Sequence, residues 1–181
     1  MYTRFRKYLS ALAPFTEAEF QKIEPLLVRK RVRKRQFLLH QGDLCNHVVW
    51  IEQGCLRLYL IDQNASEHII SFAFENETLT ERISLVHSTP SNYQIDALED
   101  STVVMIPKEA VATWIVEIPN FAKATRAATN AQLIAFQLRI TATLTMAADE
   151  KYETLKQLYP NLVSRVPQHM LASYLGVTPL P

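Results

Sequence analysis

Glycine is scarce in this chain: three residues in 181, none next to another. A loop that cradles phosphate on backbone amides needs glycines close together, so that class of nucleotide site is excluded. Cysteine is rarer still. Cys45 and Cys55 form neither a CxxC nor a Cys/His metal spacing, which removes the zinc ribbon, the four-thiolate iron–sulfur site and the disulfide framework. An excess of charge is missing as well. With 19 basic and 18 acidic residues the formal net charge is +1, so any affinity for nucleic acid has to come from a local patch. No apolar run approaches the roughly eighteen residues of a membrane span. Met1-Tyr-Thr-Arg-Phe-Arg-Lys7 is not followed by the apolar core of a signal peptide, and a cytoplasmic location is expected. Serine and histidine show no nucleophile elbow or oxyanion pattern, and catalysis is not expected.

What is present is the texture of an ordinary globular protein, 48% hydrophobic and 20% charged. Residues 3–27 read as helical: Phe5, Leu9 and Leu12 share a face, and Thr16 is placed to cap a second helix together with Glu19. From about 28 to 107 the chain turns to short β-prone runs, among them Phe37–Leu39, Val48–Ile51, Cys55–Ile61, His68–Phe72, Tyr93–Ile95 and Thr102–Ile106. Turn residues separate them, and the spacing predicts an antiparallel barrel or roll. Gly42 and Gly54 stand where tight turns need positive φ. Lys108–Glu117 predicts a short helix stopped by Ile118-Pro119. A run without glycine or proline then extends from Asn120 to about Ala147. Ala131, Ile134, Leu138, Thr141 and Thr145 line one side of it at 3/4 spacing, and Leu133, Phe136, Ile140, Leu144 and Ala147 line a neighbouring side. A helix with two apolar faces wants two partners, and the second is expected to be the same helix of another copy, giving a homodimer.

The order helix, β-roll, long helix, helix-turn-helix resembles the Crp/Fnr family of bacterial transcription regulators. Phe37-Leu-Leu-His-Gln-Gly-Asp43 is similar to a family strand and turn, and Val49-Trp-Ile-Glu-Gln-Gly-Cys-Leu-Arg-Leu-Tyr59 to its hairpin. Ala97–Lys108 resembles the last strand pair, and Gln168–Thr178 the first helix and turn of the DNA-binding motif. The resemblance implies an α+β fold: an antiparallel double-stranded β-helix or jelly roll of the cyclic-nucleotide-binding kind, flanked by helices. It divides the chain into a sensor domain over 1–118, a dimerisation helix over 119–147 and a helix-turn-helix segment over 148–181. It also implies an allosteric regulator, in which a small-molecule effector in the roll shifts the dimer helices and the spacing of two recognition helices on DNA.

Two stretches depart from the family pattern. Where cyclic-nucleotide binders carry the phosphate-gripping arginine, this chain has Ser91, followed by Asn92. The opening glutamate is matched by Glu81, placed to accept a ribose hydroxyl, but Thr80 replaces the preceding glycine and Arg82 the following apolar residue. Serine does not replace a bidentate guanidinium, so no cofactor and no cyclic nucleotide is expected, and Glu81, Arg82, Ser91 and Asn92 remain the candidate pocket for another effector. In the DNA-binding segment Gln168, His169, Ser173 and Thr178 are the candidate contacts. Thr178-Pro179 reads as the N-cap and first position of the recognition helix, and only Leu180 and Pro181 follow, so sequence-specific DNA binding by this chain is expected to be weak or absent. The alternative is a dimeric β-roll that binds a small ligand or a protein partner and does not read DNA.

Four further features remain to be read. Arg29–Arg35 holds six basic residues in seven; it reads as a charged edge strand with Val28 and Val32 inward, or as a contact for an acidic partner. His47 and Glu52 faintly resemble a cupin metal motif, but Val49 sits where a second histidine would be needed, and no metal is expected. Trp50 and Trp114 read as core residues. Phe72–Glu77 reads as a pocket mouth or as a strand end with a solvated loop.

Overall fold

The computed structural model describes residues 2–177. Helix α1 (Thr3–Leu12) buries Phe5 and Leu9, one turn apart on one face. Helix α2 (Glu17–Ile23) begins at the expected reciprocal cap. The Glu19 amide donates to Thr16 Oγ1 at 3.3 Å, and the Thr16 amide donates to the Glu19 carboxylate at 2.7 Å. A short 3-10 turn, Glu24–Leu26, leads into the strands.

The strands are β1 (Val28–Val32), β2 (Phe37–Leu39), β3 (His47–Gln53), β4 (Leu56–Ile61), β5 (Glu67–Ala73), β6 (Thr78–Leu79), β7 (Gln94–Ala97) and β8 (Ser101–Pro107). They form two four-stranded antiparallel sheets, ordered β1-β8-β3-β6 and β2-β7-β4-β5. Their facing sides close on Val32, Leu39, Val49, Ile51, Leu56, Leu58, Ile95 and Val103, the core of the roll. The fold is the α+β antiparallel roll with flanking helices that the sequence predicted.

Alternation along the strands explains why β3 and β4 are apolar almost throughout, since both of their faces are covered. In β3, Val49 and Ile51 point into the roll, while Trp50 points out to meet Phe5 edge-on at 5.2 Å between ring centres. Trp50, Val104, Ile106, Trp114 and Phe121 join α1 and α2 in an N-terminal core. In β4, Leu56 and Leu58 face in, while Tyr59 faces out beneath the C-terminal helices.

The remaining helices are α3 (Arg82–His87), α4 (Lys108–Glu117), α5 (Pro119–Thr145), α6 (Ala148–Leu158), α7 (Pro160–Arg165) and α8 (Gln168–Leu175). Helix α5 has 27 residues and is about 40 Å long. Its start is anchored by buried Phe121 and Ala124. Helices α6 to α8 fold back onto the outer face of the second sheet, where Leu155, Leu162, Val166, Leu171 and Leu175 pack with Cys55, Tyr59, Ile69 and Phe72.

Gly42 and Gly54 have φ of +91° and +107°, as their turns require. One strand reading needs correction. Val28 does not point inward but is 54% exposed, while Val32 is buried: β1 is an edge strand, and its first residue overhangs the covered part of the roll. Strand β6 and helix α3 were not anticipated. The recognition-helix start at Thr178-Pro179 lies outside the described residues.

Candidate functional site

Glu81, from the expected effector pocket, is the N-cap of α3. Its carboxylate accepts hydrogen bonds from the amides of Ile83 and Ser84 at 2.9 and 2.8 Å, and it is 3% exposed. Its oxygens therefore serve the helix start, where a negative charge suits the free amides. Ser84 in turn accepts from the Cys45 amide at 2.8 Å, which pins α3 to the loop before β3. Arg82 is exposed and reaches Gln132 of α5 at 3.4 Å. Gln132 also donates to the Thr78 carbonyl at 2.9 Å, so this trio ties α3 and β6 to the long helix. Ser91 is buried: its hydroxyl donates to the Tyr93 carbonyl and accepts from the Tyr93 amide, both at 3.0 Å. Asn92 is exposed. None of these four residues lines the cleft between the roll and α8, and apolar side chains including Leu79, Leu85 and Tyr93 pack within the roll.

A concave surface lies elsewhere, between the roll and α8. It is a cleft of about 1200 Å³ lined by Lys34, Arg35, Phe37, Arg57 and Tyr59 together with Pro167, His169 and Met170. Arg57 is 6% exposed and grips Asp96 with Nε at 2.7 Å and Nη2 at 3.0 Å. It also pairs with Glu67 and lies over the Tyr59 ring at 3.9 Å. Burial by itself would lower the guanidinium pKa, but hydrogen bonds and charge from Asp96 and Glu67 more than offset it, so the pKa ends above its ordinary value. Nearby, Arg165 of α7 takes Glu75 in a fork at 2.8 and 3.0 Å and also pairs with Glu99. Chiefly because of Arg165, the Glu75 pKa falls to about 2. The Phe72–Glu77 stretch is thus a strand end followed by a carboxylate that ties α7 to the β3–β4 turn, where Glu75 also accepts from the Gly54 amide at 2.7 Å.

Helix α8 presents Gln168 and His169 to solvent. Ser173 does not face solvent freely: its hydroxyl donates to the Glu67 carbonyl and accepts from the Ile69 amide, each at 3.0 Å, along the edge of β5. Gly176 ends the helix in the left-handed conformation, and the Val177 amide returns to the Ala172 carbonyl at 3.0 Å. Thr178 lies outside the described residues. A second tie comes from α5. Arg139 donates to the Ile70 carbonyl at 2.8 Å and lies 4.5 Å over the Tyr174 ring. Ile70 is the extra residue of a bulge in the β4–β5 pairing, which leaves its carbonyl available. None of the ties made by Arg57, Arg165 and Arg139 was found from the sequence. The arginine of the family-like hairpin, Arg57, was visible there, but its buried carboxylate partner, Asp96, lies 39 residues away.

On α5 the side chains of Ala131, Ile134, Leu138, Thr141 and Thr145 are exposed, as are Leu133, Ile140 and Leu144. Cys45 and Cys55 are buried free thiols, and burial pushes the Cys55 pKa up to about 12, far from a reactive thiolate. Among the described residues no group of three or more His, Cys, Asp or Glu is placed to hold a metal ion, and no helix is long and apolar enough to cross a membrane.

Residues 29–117 match the family described as the cyclic nucleotide-binding domain, a span that runs from β1 through α4. No curated protein matches the chain significantly in sequence. Among solved structures, a protein of Eubacterium rectale described as a transcriptional regulator of the Crp/Fnr family superposes with a TM-score of 0.70 at 16% identity, over 91% of this chain and 78% of that one. FixK2 of Bradyrhizobium japonicum gives 0.68 at 14% identity, over 84% and 78%. The catabolite activator protein of Thermus thermophilus gives 0.57 at 17%, over 94% and 81%. At such identities the likeness is one of fold. The matched family is described by binding and the Eubacterium rectale protein by regulation.

Proposed function

We propose that this protein is a homodimeric transcriptional regulator of the Crp/Fnr type. In this reading the β-roll responds to an effector other than a cyclic nucleotide, and α8 opens a DNA-binding helix-turn-helix. The observation that carries the reading is α5. It is rooted in the N-terminal core by Phe121 and Ala124, yet Ile134 and Leu138 are 57% and 62% exposed, with Leu133 and Leu144 at 63% and 79%. Four large apolar side chains along one helix are a poor surface for water and a good one for the same helix of a second copy. Helix α5 also carries Arg139, which touches both the roll and α8, so a change in helix pairing reaches the DNA-binding segment by direct contact. Replacing the phosphate-gripping arginine by buried Ser91, and engaging Glu81 in a helix cap, supports an effector other than a cyclic nucleotide.

Light scattering tests the dimer. The expected mass is twice 20.8 kDa, and Ile134→Asp with Leu138→Asp should return it to one chain; a monomeric wild type at micromolar concentration sinks the reading. Millimolar cyclic AMP is expected to leave the melting temperature unchanged, because ligand that binds only the folded state would raise it; a rise of several degrees would reinstate the nucleotide. The second reading, a dimeric binding module that does not read DNA, draws on Ser173, which is engaged by β5. It becomes the working view if the protein is dimeric and duplex DNA does not bind.

A further inference from the structure

Five cations fall within the six residues Lys30–Arg35 of a chain whose net charge is only +1. Edge-strand protection accounts for part of this run, since Lys30 and Arg31 lie on β1, the outermost strand of its sheet. It does not account for the rest. The pairing of β1 with β8 ends at Val32 opposite Ser101, and Arg33, Lys34 and Arg35 lie beyond it in a turn with no strand edge to guard.

That turn is tightly held. The Arg33 amide donates to the Gln36 side chain at 2.9 Å, the Lys34 amide to Asp100 at 2.8 Å and the Arg35 amide to the Ala97 carbonyl at 2.7 Å. Arg35 sits at φ +66°, a conformation that favours glycine, yet the position carries a guanidinium. While the backbone is fixed, the side chains are free: Arg31, Arg33, Lys34 and Arg35 are exposed, and none of the five cations forms an ion pair among the described residues. Their position supplies a direction. Lys34 and Arg35 line the same cleft as His169 at the start of α8.

We infer that the Arg33–Arg35 turn is a second contact for duplex DNA, a sequence-independent clamp on the phosphodiester backbone beside the α8 motif. The inference rests on the regulator reading of α8. Rigidly displayed cations without protein partners suit the repeating charge of a phosphate backbone, because each phosphate neutralised releases counterions. They carry no base-reading geometry, so the turn strengthens binding to any sequence alike.

The test is fluorescence anisotropy of the full chain on labelled duplex, with salt varied between about 50 and 200 mM. Wild type is compared with the triple variant Arg33→Ser, Lys34→Ser, Arg35→Gly. Each lost phosphate contact should lower the slope of log affinity against log salt by about 0.9. Because the dimer presents two such turns, the triple variant is expected to lose between about two and five units of slope, and at least about tenfold in affinity at the lowest salt. Lys34→Glu alone, which leaves the backbone bonds of the turn in place, should show the same direction and guards against a misfolded triple. If wild type binds duplex and both variants match it in slope, the clamp is overturned while the regulator reading stands. If dimeric wild type ignores duplex at the lowest salt, both fall. Equal binding to polyglutamate would also overturn the clamp, in favour of an acidic protein partner.

Discussion

Two glycines in turns of the same roll illustrate how differently a single residue is constrained. Both have positive φ, so both resist a side chain on conformational grounds alone, by about 1 kcal/mol. A Cβ on Gly42 would meet nothing within 4 Å, whereas one on Gly54 would lie 2.1 Å from Ser101 Oγ and 2.8 Å from the Ser101 Cα. Gly42→Ala should therefore cost about 1 kcal/mol, and Gly54→Ala well over about 2 kcal/mol, because backbone has to move. Urea denaturation of the two variants orders them, and equal losses would contradict the packing. Charge at residue scale makes an acid prediction. The folded-state pKa of Glu75 is lowered from 4.5 to about 2, chiefly by Arg165. Its contribution is thus fully present above about pH 4.5 and is lost as pH falls towards 2. Glu77, raised by burial, acts in the opposite sense, so the difference between wild type and Arg165→Gln separates the carboxylates that Arg165 pairs with, Glu75 and Glu99, from Glu77. The destabilisation caused by Arg165→Gln should be largest near neutrality and shrink between pH 4.5 and 2; a difference independent of pH would rule out this assignment.

At the scale of elements, local chemistry was readable wherever the partners are near in sequence. The Thr16/Glu19 cap, the end of α4 before Pro119, and the long uninterrupted α5 follow from residues three or four apart or from a single proline. What escaped was decided by tertiary neighbours. Helix α3 is held by Glu81 and by the Ser84 contact to Cys45 across 39 residues, and the glutamate read as a ribose acceptor is its cap. Strand β6 is only two residues long and exists because Val49 and Trp50 of β3 offer it an edge. The docking of α8 on β5 depends on Ser173, which the sequence suggested as a DNA contact and which bridges 104 residues to the Ile69 amide. Ser173→Ala removes both of its bonds, each worth about 1 kcal/mol. Hydrogen exchange should then quicken at the amides of α8 and β5 and leave β3 and β8 unchanged; uniform quickening would mean that the serine supports the whole fold instead.

The molecule as a whole is three apolar cores in series: the N-terminal one around Trp50 and Trp114, the interior of the roll, and the seam between the roll and α6 to α8. The sheets separate them, since β3 and β4 each lend one face to the roll and the other to a neighbour. The sequence revealed the roll because its strands alternate or run apolar between turns. It did not reveal the seam, where ion pairs are mixed among the apolar contacts and the ties cross from one end of the chain to the other. Both tryptophans of the protein lie in the first core, and the indole nitrogen of Trp50 has no hydrogen-bond partner among the described residues. The chain therefore carries a built-in optical reporter on one end and is dark at the other. Tryptophan emission should follow the melting of the N-terminal core and stay silent while α6 to α8 leave the roll. An ellipticity midpoint below the fluorescence midpoint would reveal that departure as a separate step, and a coincident pair would mean that the three cores melt as one.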